Sequence, residues 1–399
     1  MRDPRGASVS ERSNQTGSVT ASSIVRTPTP TPLPKATDVS LQFELRSNPK
    51  PRSESERSSI LANPGFGVHF TDHMAVATWT AADGWHDSAI VPYGPFSLDP
   101  ATAVLHYAQQ VFEGLKAYRH DDGTIWAFRI DQNAARIARS AQRLALPLLS
   151  AEDFLASIEE LVAADLAWVP TAPEQSLYLR PFMFATEAFL GVRPARRVTY
   201  CCIASPAGAY FASGVRPIDI WISRTYSRAA PGGTGAAKCA GNYAASLLPQ
   251  QQAVEHGCDQ VMFADAAEHR WLEELGGMNV YLITTGNELI TPELTGSILE
   301  GVTRDSILTL APEFGLTPVE RRIEITELLD GIGSGEVTEL FACGTAAVAT
   351  PIGALHDEGG RYQVGAGESG ETTLAIRQKL LDIQYGRAED THGWLRRIL

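Results

Sequence analysis

Gly232-Gly-Thr-Gly-Ala-Ala-Lys-Cys-Ala-Gly-Asn-Tyr243 gathers glycines around one lysine, Lys238. Glycines around a single lysine let a ligand come close to the backbone. A nucleotide P-loop needs Gly directly before the Lys and Ser or Thr directly after it. Ala237 and Cys239 occupy those places, so that reading fails. The glycine spacing also departs from the dinucleotide fingerprint. Taken alone, the stretch fits a flexible loop with a surface lysine. Its neighbours give it a frame. A strand pattern at Ile218–Ser223 precedes it and a helical pattern at Tyr243–His256 follows.

Further upstream, residues 205–214 are turn-rich and predict a connector between two domains. Before it, Met74–Thr80 reads as a strand. Glu113–Arg119 and Thr124–Phe128 read as a hairpin around Asp122-Gly123. Asn133–Leu144 has a helical apolar face, and Ser150 with Asp153 suggests a capping box opening a second helix. Strands are expected at Ser176–Phe184 and Val198–Ala204. After the connector, strands are expected at Gln260–Ala264, Trp271–Leu275, Met278–Thr284, Val319–Ile323 and Glu339–Ala342, with helices at Val302–Ala311 and Thr373–Tyr385. Strands and helices without strict alternation predict an α+β class. The expected division is an N-terminal extension over 1–59, a smaller domain over 60–205, a connector at 206–214 and a larger domain over 215–399.

The bulk properties of the 399 residues narrow the function. Hydrophobic residues make up 44% and charged residues 20%, enough to bury a core. A net charge of −13 argues against nucleic acid as a partner, because phosphate backbones need clustered Lys and Arg. No apolar run reaches the roughly 18 residues of a membrane span. Five irregularly spaced cysteines give no disulfide framework and no metal-ligand spacing, and read as buried thiols of a cytoplasmic protein. Residues 1 to about 40 are rich in Ser, Thr, Pro and Arg, a composition that predicts disorder. Two explanations of that segment stay open, an organellar transit peptide and an over-long start.

The lysine keeps distinctive company. Phe70-Thr-Asp-His-Met74, His106-Tyr107, Val111-Phe-Glu-Gly-Leu-Lys-Ala-Tyr118, Tyr178-Leu-Arg-Pro181 and Gly208-Ala-Tyr-Phe211 precede it. Glu274-Leu-Gly-Gly-Met-Asn279, Gly301-Val-Thr-Arg304 and Gly344-Thr-Ala-Ala347 follow. In these blocks and their order, from about Asn63 to the C-terminus, the chain resembles the branched-chain aminotransferases. They are fold-type IV pyridoxal-phosphate enzymes with two domains and the cofactor at the domain interface.

The resemblance implies a role for each matching residue. Lys238 is the Schiff-base lysine and the proton carrier at the substrate α-carbon. Glu274 keeps the pyridine nitrogen protonated; Glu273 precedes it on the same strand, where alternate side chains face opposite ways. Tyr243 donates to the ring oxygen. Arg136 binds the phosphate through a planar guanidinium, with Val302 and Thr303 at a helix N-terminus and Thr345 nearby. Arg139 and Arg143 share the helix with Arg136 and are otherwise hard to rank against it. Phe70, Phe112, Tyr178 and Tyr210 line an apolar substrate pocket, although aromatics on strands are as often core. Tyr107 and the backbone of Thr345 and Ala346 hold the substrate carboxylate. Arg180 is the candidate for the second carboxylate of 2-oxoglutarate. Leu190 and Val192 belong to a loop that closes the site of a neighbouring subunit, which implies a homodimer.

Two departures matter. A Cys-x-x-Cys found near the site in mammalian members is replaced by Ala347 and Thr350, so a redox switch is not expected. Gly277 stands where those members carry Thr, enlarging the pocket. The implied reaction moves the amino group of L-leucine, L-isoleucine or L-valine to 2-oxoglutarate in a ping-pong cycle, with no metal. Alternatives are another enzyme of the scaffold, a D-amino-acid aminotransferase or aminodeoxychorismate lyase, or a non-catalytic binding relative.

Overall fold

Ser176–Ala185 and Arg197–Ala207 pair antiparallel along their whole lengths and form the spine of the first of two sheets. The structure, a computed structural model, describes residues 40–208 and 215–399. The first sheet has nine strands. Outward from Arg197–Ala207 lie His73–Thr80, Gly84–Pro92 and Glu44–Leu45. Outward from Ser176–Ala185 lie Leu115–Arg119, Ile125–Phe128 and Leu395–Arg397, while Gln110–Phe112 also pairs with Ser176–Ala185. The hairpin at Asp122-Gly123 forms, with Gly123 at φ 84°, where a side chain would be strained.

The second sheet is mixed and also has nine strands. Ile218–Ser223 runs parallel to both Gln260–Ala264 and Val348–Asp357. Val337–Gly344, Asn279–Thr284, Glu288–Pro292 and Thr317–Arg321 continue one side, and Leu272–Leu275 closes the other. The last strand of the first sheet before the second ends at Ala207, and the first strand of the second begins at Ile218. Leu395–Arg397 nevertheless returns to the first sheet by pairing with Ile125–Phe128, so 215–399 is not confined to the second. The mixture of sheets and helices is the expected α+β class.

Several local expectations change. Residues 40–59, assigned to the extension by composition, carry the strand Glu44–Leu45 and the start of the helix Glu54–Ala62. That helix opens with a complete capping box, Glu56 N–H donating to Ser53 Oγ and Ser53 N–H donating to Glu56 Oε2. At Ser150 only half a box forms. Its hydroxyl accepts from Asp153 N–H at 2.9 Å, but the Asp153 carboxylate accepts from Leu41 N–H at 2.7 Å and so anchors the early segment. The helix expected over Tyr243–His256 is two, Ala240–Ala245 and Leu247–Glu255. Pro249 has no N–H for the carbonyl four residues back, so it suits the first turn of a new helix.

The two sheets meet around the lysine. Val111 bridges Cys239, and Phe112 N–H donates to the Lys238 carbonyl at 3.0 Å. Tyr118 and Phe128 from the first sheet share a buried cluster with Tyr281 and Phe341 from the second. Lys238 is therefore pinned at a seam, with its backbone N–H on Ser140 Oγ at 2.9 Å. All five cysteines are buried and unpaired, and desolvation pushes the thiols of Cys201, Cys202, Cys258 and Cys343 up. No described helix is long and apolar enough to cross a membrane.

Candidate active site

The glycines before Lys238 have a packing reason. A Cβ on Gly235 would overlap the backbone of Ser297, so the loop lies directly against the chain that leads to Leu299. The close approach anticipated for a ligand is, at Gly235, an approach of backbone to backbone. It brings the lysine and the buried carboxylates Glu273 and Glu274 under one loop.

Lys238 Nζ donates to the Tyr243 hydroxyl at 2.8 Å. The ammonium also stands 4.7 Å from the Phe112 ring centroid and 5.1 Å from that of Tyr243, and the two rings meet edge to face. These contacts orient the half-buried amine.

Glu274 is 1% exposed and its neighbour Glu273 only 5%, so neither of the pair faces solvent. Glu273 takes the Ser297 hydroxyl, and burial raises its carboxyl. Glu274 is pushed up to about 7 by burial, opposed by the nearby Arg228 charge and by the Leu299 N–H, which donates to Oε1 at 2.8 Å. Arg228 is the residue the sequence did not disclose. Its Nη1 lies 2.9 Å from Glu274 Oε1, while Nε and Nη2 find no protein partner. A lone Arg in a turn-rich stretch carries no periodic signal, so nothing local marks it.

Arg136 is buried as expected, but its planar double contact is made to Glu113, Nε to Oε1 at 2.7 Å and Nη2 to Oε2 at 2.9 Å. Nη1 donates to the Glu300 carbonyl at 3.0 Å, just before the helix Val302–Leu310. Asn133 also donates to Glu113, at 2.8 Å, and Arg136 holds that carboxyl below its usual range against the cost of burial. Asn133 and Arg136 lie three apart on one helix and so reach Glu113 together, but Glu113 comes from a separate segment and helical spacing alone did not reveal the triad. Arg139 and Arg143 go elsewhere, to Glu300 and to the carbonyls of Gly232 and Gly233.

Val302, Thr303 and Thr345 are brought together around one small pocket, which Lys116, Asn133 and Gln384 also line. The helix N-terminus there is joined to the carboxylate end of the site by Asn279. Its amide donates to the Leu299 carbonyl at 3.0 Å, and its oxygen occupies the space that a side chain at Gly301 would need. Arg180 sits 5.0 Å over Phe112 and donates to the Tyr178 hydroxyl at 3.0 Å, so both side with Lys238. Gly277 lies beside Tyr243, with room for a Cβ at 3.6 Å. Ala346 accepts from Lys116 Nζ at 3.0 Å.

Other expected residues lie apart. Phe70 stacks on Tyr93 with centroids 5.1 Å apart. The Tyr107 hydroxyl donates to the Leu190 carbonyl, and Tyr107, Leu190 and Val192 form an exposed group, 42%, 67% and 90% accessible. Tyr210 lies outside the described residues.

A lysine amine, a phenol, a buried carboxylate and a helix N-terminus thus share one seam between two sheets. Residues 110–355 match the family model for amino-transferase class IV. The chain belongs to the class IV aminotransferase family. This class IV aminotransferase is 56% identical to the probable branched-chain-amino-acid aminotransferase of Streptomyces coelicolor, over 86% of this chain and 95% of that one. It is 53% identical to the branched-chain-amino-acid aminotransferase of Mycobacterium tuberculosis, over 87% and 96%. Its fold matches the crystal structure of the branched-chain amino acid aminotransferase of Escherichia coli. That match has a TM-score of 0.68, 29% identity and coverage of 82% of this chain and 100% of that chain.

Proposed function

We propose that this class IV aminotransferase moves the amino group of branched-chain L-amino acids to 2-oxoglutarate with pyridoxal 5'-phosphate as its cofactor. The observation that carries this reading is the pairing of Lys238 Nζ with Tyr243 at 2.8 Å beside the buried Glu274. The donor set fits the group: Lys238 would hold it covalently, Glu274 would face its ring nitrogen, and Tyr243 its ring oxygen. Arg136 with the N–H groups of Val302 and Thr303 and the hydroxyl of Thr345 would hold its phosphate. When bound, the cofactor supplies the electron sink that makes the amino acid α-proton removable.

The chain's own residues then divide the work. Lys238 Nζ takes and holds the α-proton, steered by the Tyr243 hydroxyl and the Phe112 ring. Glu274 is buried deeply enough to exist in either protonation state near neutrality, and Arg228 biases it towards the anion. Phe112 and Tyr178 offer apolar surface to a branched side chain, and Arg180 faces the same space for a second carboxylate. Gly277, beside Tyr243, widens the pocket. The exposed Tyr107, Leu190 and Val192 suit a homodimer in which each subunit closes its neighbour's site, and a cytoplasmic enzyme is the expected setting.

The test is a transamination assay with L-leucine and 2-oxoglutarate, comparing the wild type with Lys238→Ala and running D-alanine in parallel. Leucine turnover that vanishes in the variant is the expected result. Turnover of D-alanine alone would move the substrate reading to the D-amino-acid enzymes of the family.

A further inference from the structure

We propose that the pocket around the Glu273 carboxyl, behind Glu274, is a binding site for a small organic cation, a protonated nitrogen carried on a short apolar body. Glu273 and Glu274 are neighbours on the strand Leu272–Leu275, so their side chains leave it on opposite faces. Glu273 lines a pocket of about 90 Å³ in which neither Glu274 nor Lys238 takes part. Glu273 is only 5% exposed, and the Ser297 hydroxyl donates to its Oε1, but Oε2 has no partner. A buried carboxyl oxygen left alone is costly in either state. Ionised it lacks a donor, and protonated it lacks an acceptor.

The charge around Oε2 decides what fills the gap. Asp265, Glu268 and Glu293 line the same pocket, against Arg322 alone. Arg322 is committed to Glu293 at 3.2 Å and lies over the Trp271 ring. Asp265 accepts from the backbone N–H groups of Ala267, Glu268, Arg270 and Trp271, which hold it as the anion. A cation at Oε2 therefore supplies the missing donor and offsets the excess of negative charge. Among the described residues no three His, Cys, Asp or Glu side chains converge as metal ligands, so the carboxylates do not make a metal centre. Pro231, Leu272 and Ile298 give apolar wall, which an alkyl chain covers and a hydrated metal ion does not. The indole N–H of Trp271, also buried without a partner in this lining, is left to a water or to an acceptor on the ligand.

The experiment titrates the cofactor-loaded protein with butylguanidinium by calorimetry. This probe carries the charge and the alkyl body but no primary amine to condense with the cofactor. Butylurea, of the same shape and uncharged, is the control. We expect saturable one-to-one binding of the cation and none of butylurea. Glu273→Gln should weaken binding about tenfold or more, the loss of a charge-assisted hydrogen bond. Ala267→Trp, at the exposed mouth of the pocket, should abolish it, and decides the matter if Glu273→Gln does not fold. Absence of saturable binding to the wild type overturns the inference. So does equal affinity in wild type and Glu273→Gln, binding retained in Ala267→Trp, or butylurea binding as tightly as the cation. Leucine turnover plays no part in the readout, so this site and the transamination reading stand or fall separately.

Discussion

Arg228 and Glu274 form an ion pair at 2.9 Å with side chains only 1% and 2% exposed. Two groups so buried hold each other's charge, and removing one strands the other. At about pH 8, above the value of about 7 to which burial pushes Glu274, Arg228→Met is therefore expected to destabilise the apoprotein by about 3–5 kcal/mol, read as a lower urea midpoint. A midpoint unchanged from wild type would mean that the Glu274 carboxyl is neutral and needs no partner.

The pH dependence of stability follows from the same carboxyl. Burial raises Glu274 from its ordinary 4.5 to about 7, so between those values the folded state binds more protons than the unfolded. The stabilisation is full below 4.5 and is lost as pH rises through 7. The urea midpoint of the apoprotein, compared with Glu274→Gln, should fall between about pH 5 and pH 8. A cation held against the carboxylate by a ligand lowers its pKa again, so the loaded protein should show a flatter difference. A midpoint difference that rises with pH in the apoprotein would reverse the assignment.

Gly235→Ala tests the loop that carries the lysine. Its Cβ would meet the Ser297 backbone, which has no flexible end to move aside. The loop must lift, and overpacking of this kind costs about 1–3 kcal/mol. A lower melting temperature and a loss of leucine turnover together are expected, because Lys238 Nζ moves relative to Tyr243. Loss of stability with turnover intact would detach the loop's packing from catalysis.

Much of this was legible in the sequence because it was local. The strands at Ser176–Ala185 and Asn279–Thr284, the hairpin at Asp122-Gly123 and the helix from Val302 follow from period and turn chemistry. Glu274 and Lys238 stand out by the family blocks around them, since the glycines alone fit a flexible loop. What was hidden depends on contacts across the seam. Arg228 gains meaning only when the loop folds onto Leu299, and Lys116 only when one sheet meets the other. Alternation along a strand predicts one exposed acid in the pair Glu273 and Glu274, yet both are buried because Leu272–Leu275 is covered on both faces. The early strand Glu44–Leu45 escapes a local reading because it pairs with Gly84–Pro92, with Leu41 on Asp153, far along the chain. The helix Glu54–Ala62, by contrast, carries a local capping box at Ser53 and Glu56 that the sequence reading passed over.

Tyr107 and Leu190 touch each other, and neither has a hydrogen bond or ring contact with Lys238. If this exposed group serves a neighbouring subunit, the two halves of the site can be broken in different chains. Lys238→Ala and a chain with Tyr107, Leu190 and Val192 all changed to Ala should each be nearly inactive as homodimers. Coexpressed, they form mixed dimers in which one site combines the intact Lys238 of one chain with the intact Tyr107 loop of the other. Leucine turnover should then return to about a quarter of wild type, since random pairing makes half the dimers mixed and each has one working site of two. Turnover no greater than the sum of the separate variants would place the Tyr107 loop in its own chain's site or outside catalysis altogether.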